Sequence, residues 1–254
     1  MLYSQIIPAM YYSMTDHTPT QAMVLAAGLG KRMRPLNNTL PKPMVEVAGR
    51  TLIDRAIDRL ETAGITKVVV NTSYLADILE AHLRQRPSPK IVFSREAQPL
   101  ETGGGIARAL HHFGGTPFFA VNSDVIWLDK ATPALKLLAA HWSDTLDALL
   151  LLHPAKAAIG YEGKGDFFLD TQGNIRRRAP DETAPYIYTG IQLLHPRLFA
   201  DCPSGVFSLN ILYNKAMQAM PPRIKGIVYD GELLNVGDPE GQKLAETHIL
   251  KKFS

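Results

Sequence analysis

The chain has 254 residues, of which 46% are hydrophobic and 20% charged, and these proportions exclude a disordered or fibrous protein. Its 27 Lys and Arg exceed its 24 Asp and Glu, but the net charge of +3 is dispersed, without the long basic run of a nucleic-acid-binding protein. The single cysteine, Cys202, excludes an intramolecular disulfide, and no apolar stretch approaches the roughly 18 residues that a membrane span needs. We therefore expect a cytoplasmic protein with neither nucleic-acid nor membrane partners.

The amino terminus precedes the patterned part of the sequence. Residues 1–20 contain a short apolar piece but neither the basic region nor the cleavage pattern of a signal peptide, so a flexible extension is predicted there, with Met14 as an alternative initiator. Glycine and proline are spread along the remaining chain and mark no linker, which predicts a single domain over residues 21–254.

Strand and helix patterns alternate through the first 155 residues. A short apolar run predicts a buried strand over residues 21–27, and apolar residues at helical spacing predict a helix over residues 51–63. Further strands are predicted over residues 67–71, 90–93, 117–121 and 146–152, and further helices over residues 75–83, 105–112 and 133–142. This alternation predicts an α/β fold with a Rossmann-like, mostly parallel mixed sheet flanked by helices. Ligands of such sheets bind beyond the carboxyl ends of the strands, so functional residues are expected there.

Short strands and turns replace the alternation beyond residue 155. Strands are predicted over residues 166–170, 174–177 and 186–194, as an insertion, and helices over residues 207–220 and 238–253.

A glycine pair follows the first predicted strand. Gly28 and Gly30 let the backbone approach a phosphate closely, and Lys31, Arg32 and Arg34 place positive charge beside it. A tight turn with solvated basic residues is an equally favoured interpretation of this loop. The spacing matches neither the Walker pattern nor the dinucleotide fingerprint.

Lys42 lies between Pro41 and Pro43. The two prolines fix the backbone, so the lysine projects in a defined direction and suits a phosphate as a point charge. Taken alone, such a lysine is more often an exposed loop residue.

These motifs together resemble the amino-terminal signature of the sugar-1-phosphate nucleotidylyltransferases. The resemblance rests on Leu-Ala-Ala-Gly-x-Gly-x-Arg-Met-x-Pro, then Pro-Lys-Pro, then Gly-Arg-Thr-Leu-Ile over residues 49–53, and it spans residues 21–245. It implies the nucleotide-diphospho-sugar transferase fold, with Arg32 stabilising the phosphates in the transition state and Lys42 also contacting phosphate. The nucleotide-binding residues that it implies in the first loop are Leu25, Ala26, Ala27, Gly28, Gly30, Lys31 and Arg32.

A second glycine-rich motif occupies residues 99–106. Three glycines ahead of the helix predicted from residue 105 let a flat base or ribose lie against the backbone, and Glu101 or Thr102 can contact a base edge; a flexible hinge is the alternative. The resemblance implies that this segment flanks the nucleobase, with Gln98 and Gly103 as further contacts. The sequence of this motif is most similar to the N-acetylmuramate-1-phosphate uridylyltransferase branch. That similarity implies UTP and N-acetylmuramate 1-phosphate as substrates and a role in peptidoglycan recycling. The mannose-1-phosphate guanylyltransferases follow closely.

Asp124 follows the apolar strand predicted over residues 117–121. A carboxylate at a strand end facing a phosphate loop suits Mg²⁺, and the family places its metal aspartate here. A turn or helix cap is the alternative, and the one favoured for Asp129. Near the chain end, Asn235 stands where relatives carry a second metal aspartate; we favour its amide oxygen as the second ligand, while Asp238 either compensates or caps the next helix.

The sequence indicates the sugar-binding residues less clearly. The resemblance places Thr189 and Gly190 on a strand beside the sugar, and Asn71 and Asn122, each near a strand end, are candidate hydroxyl contacts. An ordinary strand and turn is an equally favoured interpretation. The Arg run over residues 176–178 suits an acidic sugar substituent, although a solvated hairpin is favoured.

The implied reaction is attack of a sugar 1-phosphate oxygen on the α-phosphorus of an NTP, with release of pyrophosphate, by a monomer or small homo-oligomer. Isoprenoid and molybdopterin nucleotidyltransferases share the first loop but lack the second motif and Pro-Lys-Pro. An NAD-dependent oxidoreductase shares only the architecture. A non-catalytic nucleotide-sugar-binding homologue is the alternative of a different class, and Asn235 favours it.

Overall fold

The computed structural model of the protein describes residues 18–33 and 39–253. The extension predicted over residues 1–20 therefore lies almost wholly outside the described residues, and so does Arg34. Within the described ranges, no helix is both long and apolar enough to cross a bilayer.

The strands, in chain order, are β1 (Gln21–Leu25), β2 (Glu46–Val47), β3 (Arg50–Thr51), β4 (Lys67–Thr72), β5 (Lys90–Arg95), β6 (Phe118–Asn122), β7 (Val125–Leu128), β8 (Ala148–Pro154), β9 (Phe167–Leu169), β10 (Ile175–Arg177), β11 (Tyr186–Leu194), β12 (Ile224–Val228) and β13 (Glu232–Asn235). The α-helices are α1 (Leu52–Thr62), α2 (Ala76–Leu83), α3 (Glu101–Ala109), α4 (Ala134–Ala140), α5 (Asn210–Gln218) and α6 (Pro239–Phe253). Short 3-10 helices occupy Lys31–Met33, Lys42–Met44, Leu110–His112, Ala155–Ala157 and Pro196–Phe199.

One large sheet organises the molecule. Its strand order is β10-β9-β11-β6-β1-β4-β5, with β8 pairing β11 and β12 pairing β8. Strands β6, β1, β4 and β5 run parallel, whereas β11 is antiparallel to β6 and to β8. This confirms the predicted mixed, mostly parallel sheet flanked by helices.

The core lies on both faces of that sheet. In β1, Met23 and Val24 are both fully buried and belong to separate core clusters, because alternate side chains of a strand point to opposite faces. Helix α1 shows why the local patterns succeeded: its apolar residues are buried, and the Thr51 hydroxyl caps its start by accepting from the Asp54 N–H at 3.1 Å.

Some elements differ from the sequence-based expectation. The helix predicted over residues 105–112 begins at Glu101, so the three glycines lie inside α3 and not ahead of it. Strands β7, β12 and β13 were not predicted. Strands β7 and β13 form a small antiparallel sheet of their own that pairs Val125 with Asn235.

Candidate active site

The carboxyl ends of three parallel strands meet at one edge of the sheet. Leu25 of β1 stands in register with Asn71 of β4 and with Asn122 of β6. The loop that continues from β1 therefore passes directly between polar side chains of its two neighbours, where the fold is expected to bind ligands.

A cavity of about 210 Å³ opens at this edge. It is lined by the glycine loop, the Pro-Lys-Pro segment, the strand ends and the start of α3: Leu25, Ala26, Ala27, Gly28, Lys42, Pro43, Asn71, Glu96, Pro99, Glu101, Thr102, Asn122, Ser123 and Asp124. A larger cavity of about 300 Å³ between α1 and β7 contains none of the predicted site residues. The motifs thus converge on the smaller cavity.

Lys42 and Asp124 form an ion pair at this cavity. Lys42 Nζ lies 2.7 Å from Asp124 Oδ2 and 3.5 Å from the Gly237 carbonyl oxygen. The lysine side chain is 10% exposed and the aspartate 32%, so Lys42 is not a solvated loop residue while the carboxylate stays open to a ligand. The two prolines hold Lys42 at the start of a 3-10 helix, which explains its fixed direction.

Arg32 and Asn235 approach the same place from other elements. A Cβ added at Gly237 would lie 3.4 Å from Arg32 Nη1 and 3.5 Å from Asn235 Nδ2. The Val236 N–H donates to the Asp124 carbonyl oxygen at 3.3 Å, which fixes the end of β13 beside the metal candidate. Arg32 therefore lies near Gly237, whose carbonyl Lys42 contacts, but Arg32 and Lys31 are both exposed and neither lines the cavity.

The donor set suits a magnesium ion that is held mainly by its substrate. The described residues contain no group of three or more His, Cys, Asp or Glu that is arranged to hold a metal ion. Asn235 Nδ2 donates to the Gly160 carbonyl at 3.1 Å, so the amide oxygen is the atom of this side chain that could coordinate a metal. Mg²⁺ typically takes one or two such protein oxygens plus substrate phosphates.

Two further aspartates singled out from the sequence, Asp238 and Asp129, cap helices. Asp238 Oδ1 accepts from the Gly241 N–H at 2.9 Å at the start of α6, so it has the capping role that the sequence offered as one alternative. Asp129 Oδ1 accepts from the Ala134 N–H at 2.8 Å, which confirms its predicted capping role.

Protein atoms lie close to the α3 glycines. A Cβ at Gly103 would lie 2.4 Å from the Phe207 ring, one at Gly104 would lie 2.2 Å from the Gly205 carbonyl oxygen, and one at Gly105 would lie 2.8 Å from Asn71 Nδ2. The Gly103 N–H donates to the Phe207 carbonyl at 3.0 Å. The three glycines therefore lie inside α3 and let it pack closely against its neighbours, so the expectation that they precede the helix is wrong.

The residues before those glycines face the cavity. Glu101 is exposed and holds a φ of +59°, a left-handed conformation that costs a non-glycine residue about 1–2 kcal/mol. The Thr102 hydroxyl accepts from the Leu209 N–H at 3.1 Å and so joins α3 to the α5 segment. Gln98 is exposed but lies outside the cavity lining.

The predicted sugar contacts divide into two groups. Thr189 is 1% exposed and its hydroxyl donates to the Leu151 carbonyl at 2.9 Å, so it supports a bulge in β11 and does not face the cavity. Gly190 has a φ of +80°, and a Cβ there would lie 3.0 Å from the Asn122 Cβ. Asn122 and Asn71 both line the cavity, and the Asn71 amide also bonds protein groups through its oxygen and its nitrogen.

The arginine run is an internally bonded hairpin, as favoured from the sequence. Arg176 pairs with Glu182 at 2.7 Å, Arg177 donates to Asn210 Oδ1 at 2.9 Å, and Arg178 donates to the Gly165 carbonyl at 2.7 Å.

Sequence reasoning missed Glu96 and Gly237. Glu96 directly follows β5, a position where a carboxylate could have been suspected, and it lines the cavity while only 3% exposed. Gly237 offers its carbonyl to Lys42, a contact between distant chain segments that leaves no local signal.

Comparisons with known proteins identify the family of the chain. Residues 21–163 match the model of the nucleotidyl transferase family. The chain is 44% identical over 240 residues to an N-acetylmuramate alpha-1-phosphate uridylyltransferase of Caulobacter vibrioides, covering 92% of this chain and 98% of that protein. A protein of the same name from Neisseria meningitidis serogroup B is 33% identical over 221 residues, covering 85% and 93%. The mannose-1-phosphate guanylyltransferase catalytic subunit beta of Danio rerio is 35% identical over 150 residues, but these cover only 56% of this chain and 42% of that protein.

A solved structure supports the fold. HddC from Yersinia pseudotuberculosis, complexed with GMP-PN, superposes with a TM-score of 0.72 at 23% identity, covering 92% of this chain and 99% of that one. The predicted nucleotide-diphospho-sugar transferase architecture is thereby confirmed. From the family match, the near-complete coverage of its relatives and the convergence of the motifs, the chain belongs to the nucleotidyl transferase family, among the sugar-1-phosphate nucleotidylyltransferases.

Proposed function

We propose that this enzyme transfers a uridylyl group from UTP to N-acetylmuramate 1-phosphate, giving UDP-N-acetylmuramate and pyrophosphate, and that it serves peptidoglycan recycling in the cytoplasm. The observation that carries nucleotidyl transfer is the convergence of Lys42, Asp124 and the glycine loop on one cavity. The choice of UTP and of this sugar rests on the uridylyltransferase relatives, which match almost the whole chain, whereas the guanylyltransferase match stops well short of it.

The proposed chemistry needs no covalent intermediate. A sugar phosphate oxygen attacks the α-phosphorus of UTP, a new P–O bond forms, and the bond to the bridging oxygen breaks so that pyrophosphate leaves with its electron pair. Lys42 and Arg32 stabilise the negative charge on the phosphate oxygens, and the cavity walls hold the two substrates in line. Asp124 and Asn235 would hold Mg²⁺, which supplies further charge neutralisation on the phosphates.

The remaining predicted contacts belong to the same proposal. The backbone of the first loop, from Leu25 to Lys31, is placed against the triphosphate. Gln98, Glu101, Thr102 and Gly103 are placed on the nucleobase side, where Glu101 and Thr102 line the cavity. Asn122 and Gly190 are placed beside the sugar, because they adjoin each other at the end of β6. The enzyme acts as a monomer or a small homo-oligomer.

A non-catalytic nucleotide-sugar-binding protein is the alternative of a different class. Asn235 is the feature that favours it, since an amide brings no charge to a metal. Equilibrium binding of nucleotide without release of pyrophosphate would establish that alternative.

The test is a matrix of UTP, GTP, CTP and dTTP against several sugar 1-phosphates, scored by pyrophosphate release. We expect the highest kcat/KM for UTP with N-acetylmuramate 1-phosphate. Asp124→Ala should lower kcat by about 10²–10³-fold or more while the melting temperature stays close to that of the wild type. Asp77→Ala is the matched control, since that carboxylate is 85% exposed and lies outside the cavity. Wild-type turnover in the Asp124 variant would remove the metal and catalytic assignment.

A further inference from the structure

A buried chain of hydrogen bonds links the two sides of the cavity. The Ala26 N–H donates to Asn71 Oδ1 at 2.8 Å, Asn71 Nδ2 donates to Glu96 Oε1 at 2.7 Å, and the Leu100 N–H donates to Glu96 Oε2 at 2.9 Å. Asn71 and Glu96 are each 3% exposed. Three hydrogen bonds that share two buried side chains in a medium of low polarity are costly to disrupt one at a time.

The ends of this chain of bonds lie in two different binding motifs. Ala26 belongs to the glycine loop after β1, and Leu100 immediately precedes Glu101, where α3 begins in a left-handed conformation. The Leu100 N–H is therefore fixed next to the one strained residue that opens the helix. Gly105 leaves room for the pair, because a Cβ there would lie 2.8 Å from both Asn71 Nδ2 and Glu96 Oε1.

We propose that Asn71 and Glu96 are a positioning pair that sets the separation between the phosphate loop and the nucleobase side of α3. The pair acts by holding the Ala26 and Leu100 backbones at a fixed distance across the cavity. This inference rests on the proposed function, because it assigns a nucleotide to that cavity. It gives Asn71 a role beyond the contact with a sugar hydroxyl, which stays a prediction.

The hydrogen bonds require a specific donor or acceptor at each end of the two side chains. Asn71 must accept with its oxygen and donate with its nitrogen, and Glu96 must accept with both oxygens. In Asn71→Asp, an oxygen faces Glu96 Oε1 and two acceptors oppose each other. In Glu96→Gln, the new amide nitrogen must face either the Asn71 nitrogen or the Leu100 N–H, so two donors oppose each other.

The double variant Asn71→Asp/Glu96→Gln restores a complementary pattern. The aspartate accepts from Ala26 and from the glutamine nitrogen, while the glutamine oxygen accepts from Leu100. We expect each single variant to raise the KM for UTP by about tenfold with a smaller change in kcat, and the double variant to return to within about threefold of the wild type.

Two further measurements separate positioning from simple structural support. Glu80→Gln is the matched control, because Glu80 is also buried and accepts from Thr72 at 2.8 Å, but it lies outside the cavity lining. It should lower the melting temperature and leave the KM for UTP unchanged. Calorimetric binding of UTP to each variant gives the same comparison without turnover, so it remains informative if the wild type releases no pyrophosphate and the proposed function fails.

The inference is overturned if either single variant binds UTP like the wild type at temperatures well below its melting point, or if the double variant is no better than the worse single variant. A control variant whose KM rises as much as that of Glu96→Gln would also overturn it, since any buried carboxylate would then serve.

Discussion

Gly104 is the position where helix packing and ligand binding make opposite predictions. If the α3 glycines served a flat base, a methyl group at Gly104 would weaken nucleotide binding and leave the fold intact. In the structure, a Cβ at Gly104 would lie 2.2 Å from the Gly205 carbonyl oxygen and 3.0 Å from the Leu100 Cβ. The nearest contact is backbone and cannot rotate away, so Gly104→Ala should destabilise the folded protein itself.

The magnitude follows from two opposing contributions. Overpacking costs typically 1–3 kcal/mol, and a backbone contact this short places the cost near about 3 kcal/mol. Alanine is favoured over glycine in a helix by about 1 kcal/mol, which offsets part of that cost. The net loss in the free energy of unfolding is about 2 kcal/mol, equivalent to a fall of about 4–8 °C in Tm for a chain of this size.

Thermal unfolding followed by circular dichroism measures this change directly. Gly28→Ala is the matched control, because nothing lies within 4 Å of a Cβ at Gly28 and its φ lies outside the left-handed region. Its free energy of unfolding should change by less than about 0.5 kcal/mol, whereas its KM for UTP should rise because the methyl group enters the phosphate loop. An unchanged or raised Tm for Gly104→Ala would refute the packing explanation of the glycines.

Two other predictions concern side chains with well-defined partners. Asn235→Asp loses the hydrogen bond to the Gly160 carbonyl and brings two oxygens together, so the free energy of unfolding should fall by about 1–3 kcal/mol. The added charge should lower the Mg²⁺ concentration that gives half-maximal pyrophosphate release. A higher magnesium requirement would contradict the assignment of residue 235 as a metal ligand. Burial raises the pKa of Asp147, but its hydrogen bonds to Arg223 and Arg197 outweigh burial and hold that pKa below its usual range. The stability that Asp147 contributes is therefore fully present above about pH 4 and is lost as the pH falls through the lowered pKa. Melting curves from pH 7 to pH 2.5 should show this loss in the wild type and a smaller acid dependence in Asp147→Asn; equal slopes would contradict it.

The local elements were predictable where one short segment contains the whole signal. Helix α1 follows from apolar spacing and a threonine cap, and β11 was predicted over the residues that it occupies. The position of Asp124 and of the glycine loop at one edge of the sheet also followed from parallel strands that end there, whereas the contact between Lys42 and Asp124 was not predicted. In these cases, the local sequence and the elementary geometry of helices and strands are sufficient to predict the structure.

Other features depend on partners that are remote in the chain. A strand over β12 was not predicted because a short Ile-Lys-Gly-Ile-Val run carries a glycine and gains its order only by pairing with β8. Thr189 looks like a ligand contact until the bulge in β11 turns its hydroxyl to Leu151. Asn71 was singled out as a polar residue near a strand end, but its partner Glu96 follows a different strand, so the hydrogen bond between them leaves no local signal.

The ion pair between Lys42 and Asp124 has a consequence for the order in which the site fills. Without substrate, the Lys42 ammonium lies 2.7 Å from the Asp124 carboxylate and balances its charge. A free cation would therefore meet an aspartate that already has a counter-ion. Under the proposed function, the triphosphate of the nucleotide would compete for the same ammonium and so free the carboxylate. The ion pair would therefore favour binding of the nucleotide before the metal.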